Sequence, residues 1–566
     1  MTSSDTPNPG YPVRDIAAML PVAALGAASA LLAHGYRYGD GDHDDVLPLV
    51  LHALDPSLYP HDAHVQHAGG GALRAAFVKV VAAGARLLGL EAAVGVLHLL
   101  TLGAVAVGVY ALARAIVRSR PAGLGAALLA CGPLAHWTLG GNALAYAHLV
   151  PESLAWPFLL FALCFWLRGR TGPAAALAGA GAWFHPLAGM LLALTMSIAE
   201  LLGPLLRPLT SRPVSGTAWR RHAARSLAMG AVFLLVASPV LAPVLLAQRA
   251  ESLARLPFGL SGFEAYSQIR FPHHHLPTAF SAGSWLRTGL LLAAGLAAGA
   301  WSYRKRPGAP LRRAALLAGT AVCLCALIGG GTVAFSSLTL ARVQVFRLTV
   351  VLNVLACALV ANLVANLVAD AARRAVLPAR IPKRPPRAAP RLTLALVSGS
   401  VIGGLALAAW MLGRSPAPGA LAEVERWASL HLPPDALVAV PPGNTTFRVR
   451  ARRSVVATWK AVPFRLDALG SWLRDLDALA PGVLSPGLLP QSPVPRGVTG
   501  LPERLDAAYA ARQAGGWQRL GQATGATVAL VPHPVPPDLV VLYAAGPDED
   551  GAGWTLVSLA PPDEQP

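Results

Sequence analysis

Acid and imidazole side chains are crowded into one stretch, Tyr36-Arg-Tyr-Gly-Asp-Gly-Asp-His-Asp-Asp-Val-Leu-Pro48, continuing to Leu58-Tyr-Pro-His-Asp-Ala-His64. Asp40, Asp42, Asp44, Asp45, Asp55 and Asp62 lie here with His43, His52, His61 and His64, directly after the first apolar run. Carboxylates where a chain leaves a bilayer are costly unless they face water or perform chemistry. A carboxylate in such a place can act as general base toward a hydroxyl, as a metal ligand, or as both. The plain reading is a solvated loop that caps the first span. Six acids with no lysine and only Arg37 among them repel one another, which disfavours an idle arrangement. The density of the run leaves metal binding open, with Asp44, His43 and His61 as ligands and Mg or Mn as the divalent cation.

A second candidate is Ile269-Arg-Phe-Pro-His-His-His-Leu-Pro277. Arg270 offers forked donors, and His273 and His274 offer imidazole donors, a set suited to a phosphate or diphosphate. Three consecutive histidines also invite a metal, but adjacent side chains diverge in extended chain, so at most two share an ion unless the backbone turns. The plain reading is a histidine-rich loop packed under another domain. Glu152 is structural or substrate-facing, and Arg342 and Arg347 either bind a lipid phosphate or anchor to headgroups. His185, before Pro186, is a helix-end histidine or a ligand. No P-loop, dinucleotide glycine fingerprint, nucleophile-elbow serine or Cys-x-x-Cys is present.

The elements that must hold these residues are membrane helices. Of 566 residues, 54% are hydrophobic and 13% charged, with mean hydropathy +0.51. Apolar runs of about 18–25 residues, enough to span a bilayer, recur from residue 16 to 412. The net charge of +18 falls in alternate connections: Arg114/Arg118/Arg120, Arg168/Arg170, Arg207 to Arg225, Arg304 to Arg313 and Arg373 to Arg391. That is the positive-inside pattern, so the basicity reports topology and argues against nucleic-acid binding. Cys131, Cys164, Cys323, Cys325 and Cys357 all sit in apolar runs and read as core residues. The first run lacks a basic leader and cleavage site, and is expected to remain as a span.

Residues 1–15 form a cytoplasmic tail, and 16–413 an all-α bundle of about eleven spans. Span one is about 16–34. A large first outer loop, 35–90, follows, in which Leu73–Leu90 carries Arg74, Lys79 and Arg86. It reads as a helix at the outer interface with its cations on headgroups, or alternatively as a tilted span. Spans two (about 91–113), three (about 122–140) and four (about 152–167) come next. The run 173–204 has basic connections at both ends, so it must be a hairpin of two short helices turning near Trp183-Phe-His-Pro186. Span seven (about 226–246) leads to a second outer loop, 247–286. Spans eight to ten (about 287–303, 314–334 and 346–369) and eleven (about 393–413) deliver the C-terminus outside. Only His222 among the 16 histidines falls on the cytoplasmic side, so polar chemistry belongs to the outer face.

Residues 414–566 change character, with acids and bases nearly balanced and no run long enough to span. Ala436–Val440, Ser454–Thr458 and Asp538–Tyr543 read as strands, and Leu466–Leu479 and Leu501–Ala514 as amphipathic helices. This is a small α/β domain outside the membrane.

With these parts in order, the chain resembles the GT-C class of membrane glycosyltransferases. The resemblance covers most of the membrane region. Locally, Gly41-Asp-His-Asp-Asp-Val-Leu-Pro48, Asp55–Asp62, Arg270-Phe-Pro-His-His274, Phe346-Arg347, Phe447–Arg453 and Trp459–Phe464 look like a bacterial GT-C-like family. The resemblance implies a polytopic plasma-membrane enzyme of the cell envelope that moves a sugar from a polyprenyl-phosphate donor to an acceptor glycan, lipid or protein. It puts the catalytic base at Asp42 or Asp40, with Asp42 preferred because it begins the acid cluster at a helix entrance. Arg270, His273, His274, Arg347, Asp62 and Glu152 are the expected substrate-binding residues. A transporter or flippase would instead carry polar residues at mid-membrane in broken helices. A non-catalytic receptor or assembly factor would use the C-terminal domain for binding.

Overall fold

Apolar segments that cannot bond their backbone to water bond it within themselves, and here the long apolar runs are helices. The computed structural model describes residues 13–68, 72–206, 216–249, 256–376 and 419–560, save 464, 486, 490, 491, 493 and 547–552. Among the described residues four helices are long and apolar enough to cross a membrane: Leu90–Val117, Gly216–Leu246, Ala309–Phe335 and Leu338–Arg374, the last interrupted near Gln344. Three shorter apolar helices, Met19–His34, Pro151–Leu167 and Pro186–Leu201, pack among them. This is a membrane protein. The expected span at 393–413 lies outside the described residues.

Close approach sets the bundle's packing. Helix α1 (Val13–His34) crosses α5 (Leu90–Val117), and a Cβ placed on Gly26 would stand 2.2 Å from the Cβ of Ala106, so only glycine permits the crossing. Between them run α2 (His43–Leu54), the short α3 (Ala63–Ala68) and α4 (Ala75–Leu88). At 14 residues α4 is about 21 Å long, too short to cross, and it buries Phe77, Val81, Ala82 and Ala85 on one face.

The expected third span stops early. Helix α6 (Arg120–Cys131) ends because Gly132 precedes Pro133, whose ring disfavours helix there. Residues 132–150 therefore form turns before α7 (Pro151–Leu167). The run after it breaks where the proline requires, into α8 (Thr171–Phe184) and α9 (Pro186–Leu201). His185 at the break accepts a bond from the Ala188 N–H at 3.2 Å, capping α9. Helices α10 (Gly216–Arg249), α12 (Ala282–Lys305), α13 (Ala309–Phe335) and α15 (Leu348–Val376) complete the bundle, with the tight turn α11 (Pro272–His275) and α14 (Leu338–Arg342) between them.

The C-terminal part begins with α16 (Ala420–His431) and builds a five-stranded sheet in the order β2-β1-β3-β5-β4. Strands β1 (Leu437–Ala439), β2 (Ser454–Val455) and β3 (Val528–Pro532) are parallel, and β4 (Val540–Ala545) and β5 (Trp554–Ser558) add an antiparallel edge. Between β1 and β2 lies the short α17 (Phe447–Ala451), and α18 (Leu466–Leu479) covers the sheet. The expected helix 501–514 ends earlier, as α19 (Leu501–Ala510), and a separate helix not expected from sequence, α20 (Ala514–Thr524), follows it.

This domain is clamped to both long loops. The Tyr59 hydroxyl donates to the Arg448 carbonyl at 2.9 Å, and the Gly41 N–H to Thr445 Oγ1 at 3.1 Å. On the other loop, the Val498 N–H donates to the Gln268 carbonyl at 2.8 Å, and the Thr278 hydroxyl to the Pro495 carbonyl at 2.7 Å.

Candidate active site

Helix α2 starts at Asp42, which stands at its N-cap without capping it: the carboxylate makes no bond to the first-turn N–H groups. It pairs instead with the Lys460 ammonium at 2.6 Å, from the loop between β2 and α18. Two turns make the approach possible. Gly39 and Gly41 both have positive φ (71° and 60°), which bends the chain sharply into the helix.

Arg270 reaches the same place from the second loop. It ends a π-helical turn, Glu264–Arg270, is 6% exposed, and donates to the Lys460 carbonyl at 3.1 Å. Its guanidinium lies over the rings of Phe271 and Trp459, 4.2 and 5.2 Å from their centroids. The buried Nε–H of Arg270 has no hydrogen-bond partner among the described residues. The next turn, α11, folds His273 and His274 together with ring centroids 4.2 Å apart, and His274 Nδ1 bonds the Gly140 carbonyl at 2.5 Å.

From the bundle come Glu152, in the first turn of α7, and Arg347, just before α15. They form a buried ion pair, completed by the Tyr146 hydroxyl donating to Glu152 at 3.1 Å and Arg347 Nε donating to Gln344 at 2.8 Å. Arg74 pairs with Asp45 on the opposite side. These side chains line one cavity of about 410 Å³, together with Phe184, His185, Pro186 and Leu187 at the hairpin break.

The structure therefore brings together Asp42, Arg270, His273, His274, Arg347 and Glu152. Asp40 does not line the cavity; it lies 3.9 Å from Arg37 and 4.0 Å from His148. Asp62 is fully buried elsewhere, accepting from Arg448 at 2.8 Å and from the Val65 and Val455 N–H groups at 3.1 Å. The expected metal set does not assemble. Asp44 is taken by Arg448 at 2.8 Å and the Thr458 hydroxyl at 2.6 Å, and the Gly39 N–H donates to His43 Nδ1 at 3.0 Å, while His61 is exposed. Among the described residues no group of three or more His, Cys, Asp or Glu side chains is arranged to hold an ion.

Lys460, Trp459, Arg74 and Tyr146 are cavity residues whose roles the sequence did not disclose. Trp459 and Lys460 lie in a segment whose one sequence signal is the family resemblance. Arg74 was expected at headgroups.

A family model described as a domain of unknown function (DUF6798) matches residues 419–479, the stretch that supplies Arg448, Trp459 and Lys460. No curated protein matches the chain. Among solved structures the chain is similar to the archaeal oligosaccharyltransferase AglB from Archaeoglobus fulgidus in complex with an inhibitory peptide and a dolichol-phosphate. The identity is 12% over 91% of this chain and 69% of that one, with TM-score 0.45. It is also similar to ArnT from Cupriavidus metallidurans bound to undecaprenyl phosphate, at 14% identity over 98% of both chains and TM-score 0.45. The apo state of ArnT gives 16% identity over 97% of this chain and 98% of that one, again at TM-score 0.45. At such identities and TM-scores the likeness carries no argument about chemistry, which has to come from the cavity.

Its electrostatics favour an anion. Four cations (Arg74, Arg270, Arg347, Lys460) face three carboxylates (Asp42, Asp45, Glu152). Burial pulls the Arg270 guanidinium down to about 10, still charged at neutral pH. Burial alone would push the Asp42 carboxyl up, but Lys460 first, then His148 and Arg270, outweigh it and hold the group below the ordinary carboxylate range. His273 and His274 are held neutral, His273 by burial and then Arg270, His274 by burial and then His273. They serve as hydrogen-bonding groups and add no charge.

Proposed function

We propose that the protein is an integral-membrane glycosyltransferase that moves a sugar from a polyprenyl-phosphate-linked donor to an acceptor hydroxyl at the outer face of the plasma membrane. The observation that carries this reading is the pairing, in one cavity, of a carboxylate outside any hydrogen-bonded cap (Asp42) with a buried arginine whose Nε–H has no partner among the described residues (Arg270). The first suits proton abstraction from a hydroxyl; the second suits a phosphate oxygen. Apolar helices at the same end of the bundle suit a lipid chain.

In the mechanism, Asp42 takes the proton of the acceptor hydroxyl as its oxygen attacks the anomeric carbon. The bond from that carbon to the phosphate oxygen breaks, and its electron pair leaves with the polyprenyl phosphate. Attack from the face opposite the leaving group inverts the anomeric centre. Arg270 stabilises the charge growing on the phosphate, with His273 and His274 as neutral hydrogen-bonding neighbours. Arg347 is already neutralised by Glu152, so its part is to hold that side of the cavity in shape.

The test is a screen of radiolabelled lipid-linked sugars in membranes that express the protein or its Asp42→Asn variant. Transfer by the wild type and loss of it in Asp42→Asn at equal expression is the expected result. Near-normal transfer by the variant would overturn the assignment of Asp42.

A further inference from the structure

A general base works best when its affinity for protons matches the operating pH. Asp42 as it stands is a poor base, because the Lys460 ammonium 2.6 Å away stabilises its charged form. Something must loosen that pair before a hydroxyl can be deprotonated.

The other cations of the cavity are fixed. Arg347 is engaged by Glu152 and Gln344, and Arg74 by Asp45. Arg270 is buried, lies over two rings and is tied to the Lys460 carbonyl. Lys460 differs from all three. Its side chain is 37% exposed, and its single ion-pair partner among the described residues is Asp42, itself 41% exposed. An ammonium on a four-carbon stem swings easily between acceptors. Its own backbone carbonyl is anchored by Arg270, so the ammonium pivots beside the guanidinium expected to take the phosphate.

We propose that Lys460 is shared between Asp42 and the donor phosphate, so that donor binding draws the ammonium off Asp42 and leaves that carboxylate free to act as base. It rests on the transferase reading above. The exchange couples the two substrates: Asp42 becomes a competent base only once a lipid-linked phosphate is seated, and an acceptor is not activated in an empty site.

Competition for one ammonium has a thermodynamic signature that activity does not enter. Undecaprenyl phosphate binding is measured on the purified full-length protein in detergent, for wild type, Asp42→Asn, Lys460→Met and the double variant. Removing the Asp42 competitor should tighten binding about tenfold where Lys460 is present and less than about twofold in the Lys460→Met background, a non-additive cycle. Lys460→Arg keeps a mobile cation and should restore most of the gain, which a merely structural lysine would not do. Equal gains in the lysine and methionine backgrounds overturn the exchange and leave the transferase reading standing. If no variant binds the lipid phosphate, the lipid-phosphate reading falls and the exchange with it.

Discussion

Arg448 of the C-terminal domain and Asp44 of the first long loop meet at 2.8 Å with both side chains 1% exposed. Asp62 completes the group from the other side of the same guanidinium, also at 2.8 Å. Burial works against the charge on Arg448, and the two carboxylates outweigh it and keep the guanidinium protonated. Two of the acids that made the loop look reactive are thus the sockets into which the second domain plugs. The clamp sits two residues from Asp42 along α2, so it fixes where that helix begins and hence where the candidate base stands.

Removing one partner from such a group strands the others in a dry site. Arg448→Met should therefore cost about 3–5 kcal/mol. The measurement is thermal unfolding in detergent, combined with limited proteolysis between the domains. Unchanged melting and protease resistance would show that the clamp is dispensable.

Buried neutral histidines in the two long loops make the fold sensitive to acid. Burial, reinforced by His148, pushes His43 down to about 3; Asp42 pulls the other way, and the Gly39 N–H donates to its Nδ1. Burial also pushes His275 down to about 3, with His273, Arg347 and Arg342 adding to it, while its ring stacks on Tyr266 and bonds Ser267. Both folded values lie below the unfolded value near 6.5, so the unfolded chain binds more protons between the two. Stability is then complete above pH 6.5 and falls as pH drops toward 3, by about 1.4 kcal/mol per pH unit for each histidine. Lowering pH from 7.5 to 5.5 should lower the melting temperature, and His275→Asn should flatten the dependence. A melting temperature that rises on acidification would reverse the sign and refute the account.

What could be read from the residues alone follows from which constraints are local. Pro186 disfavours helix at the residue before it, a local clash, and the hairpin turned there. Gly132-Pro133 carried the same signal, but the apolar count through 140 masked it. Side chains at one end of a bundle meet because their helices alternate in direction, so Asp42, Glu152, Arg270 and Arg347 were legible as a group. Partnerships across hundreds of residues were not. Nothing local to Asp44 or Asp62 announces Arg448, and nothing local to Asp42 announces Lys460. A carboxylate seeking a cation and one doing chemistry look alike until the fold supplies the cation.

Another buried acid sits at the other end of the bundle. Glu200, 1% exposed near the end of α9, pairs with Arg313 of α13 and lies 3.1 Å from His222 Nδ1 of α10. One carboxylate thereby ties three helices and offsets the cations gathered there. Glu200→Ala would leave those cations facing each other, and about 3 kcal/mol or more of stability should be lost. Reduced yield of monodisperse protein and a lower melting temperature are the expected readouts, whereas Glu200→Asp should recover part of both. Identical melting curves for Glu200→Ala and wild type would remove the acid from any structural role.

Arg270 separates charge from shape within the cavity. A lysine there keeps a cation but has no planar fork to lie over Phe271 and Trp459, and no second nitrogen to hold the Lys460 carbonyl while another meets a phosphate oxygen. Loss of one well-aimed donor to a developing charge typically lowers turnover about 10²–10³-fold. Arg270→Lys should therefore fall nearly as far as Arg270→Met in single-turnover transfer of a lipid-linked sugar, with unfolding temperature moved far less than by Arg448→Met. Recovery of most of the rate by lysine would mean that the site needs only positive charge, and the planar, stacked guanidinium would lose its assigned part in leaving-group departure.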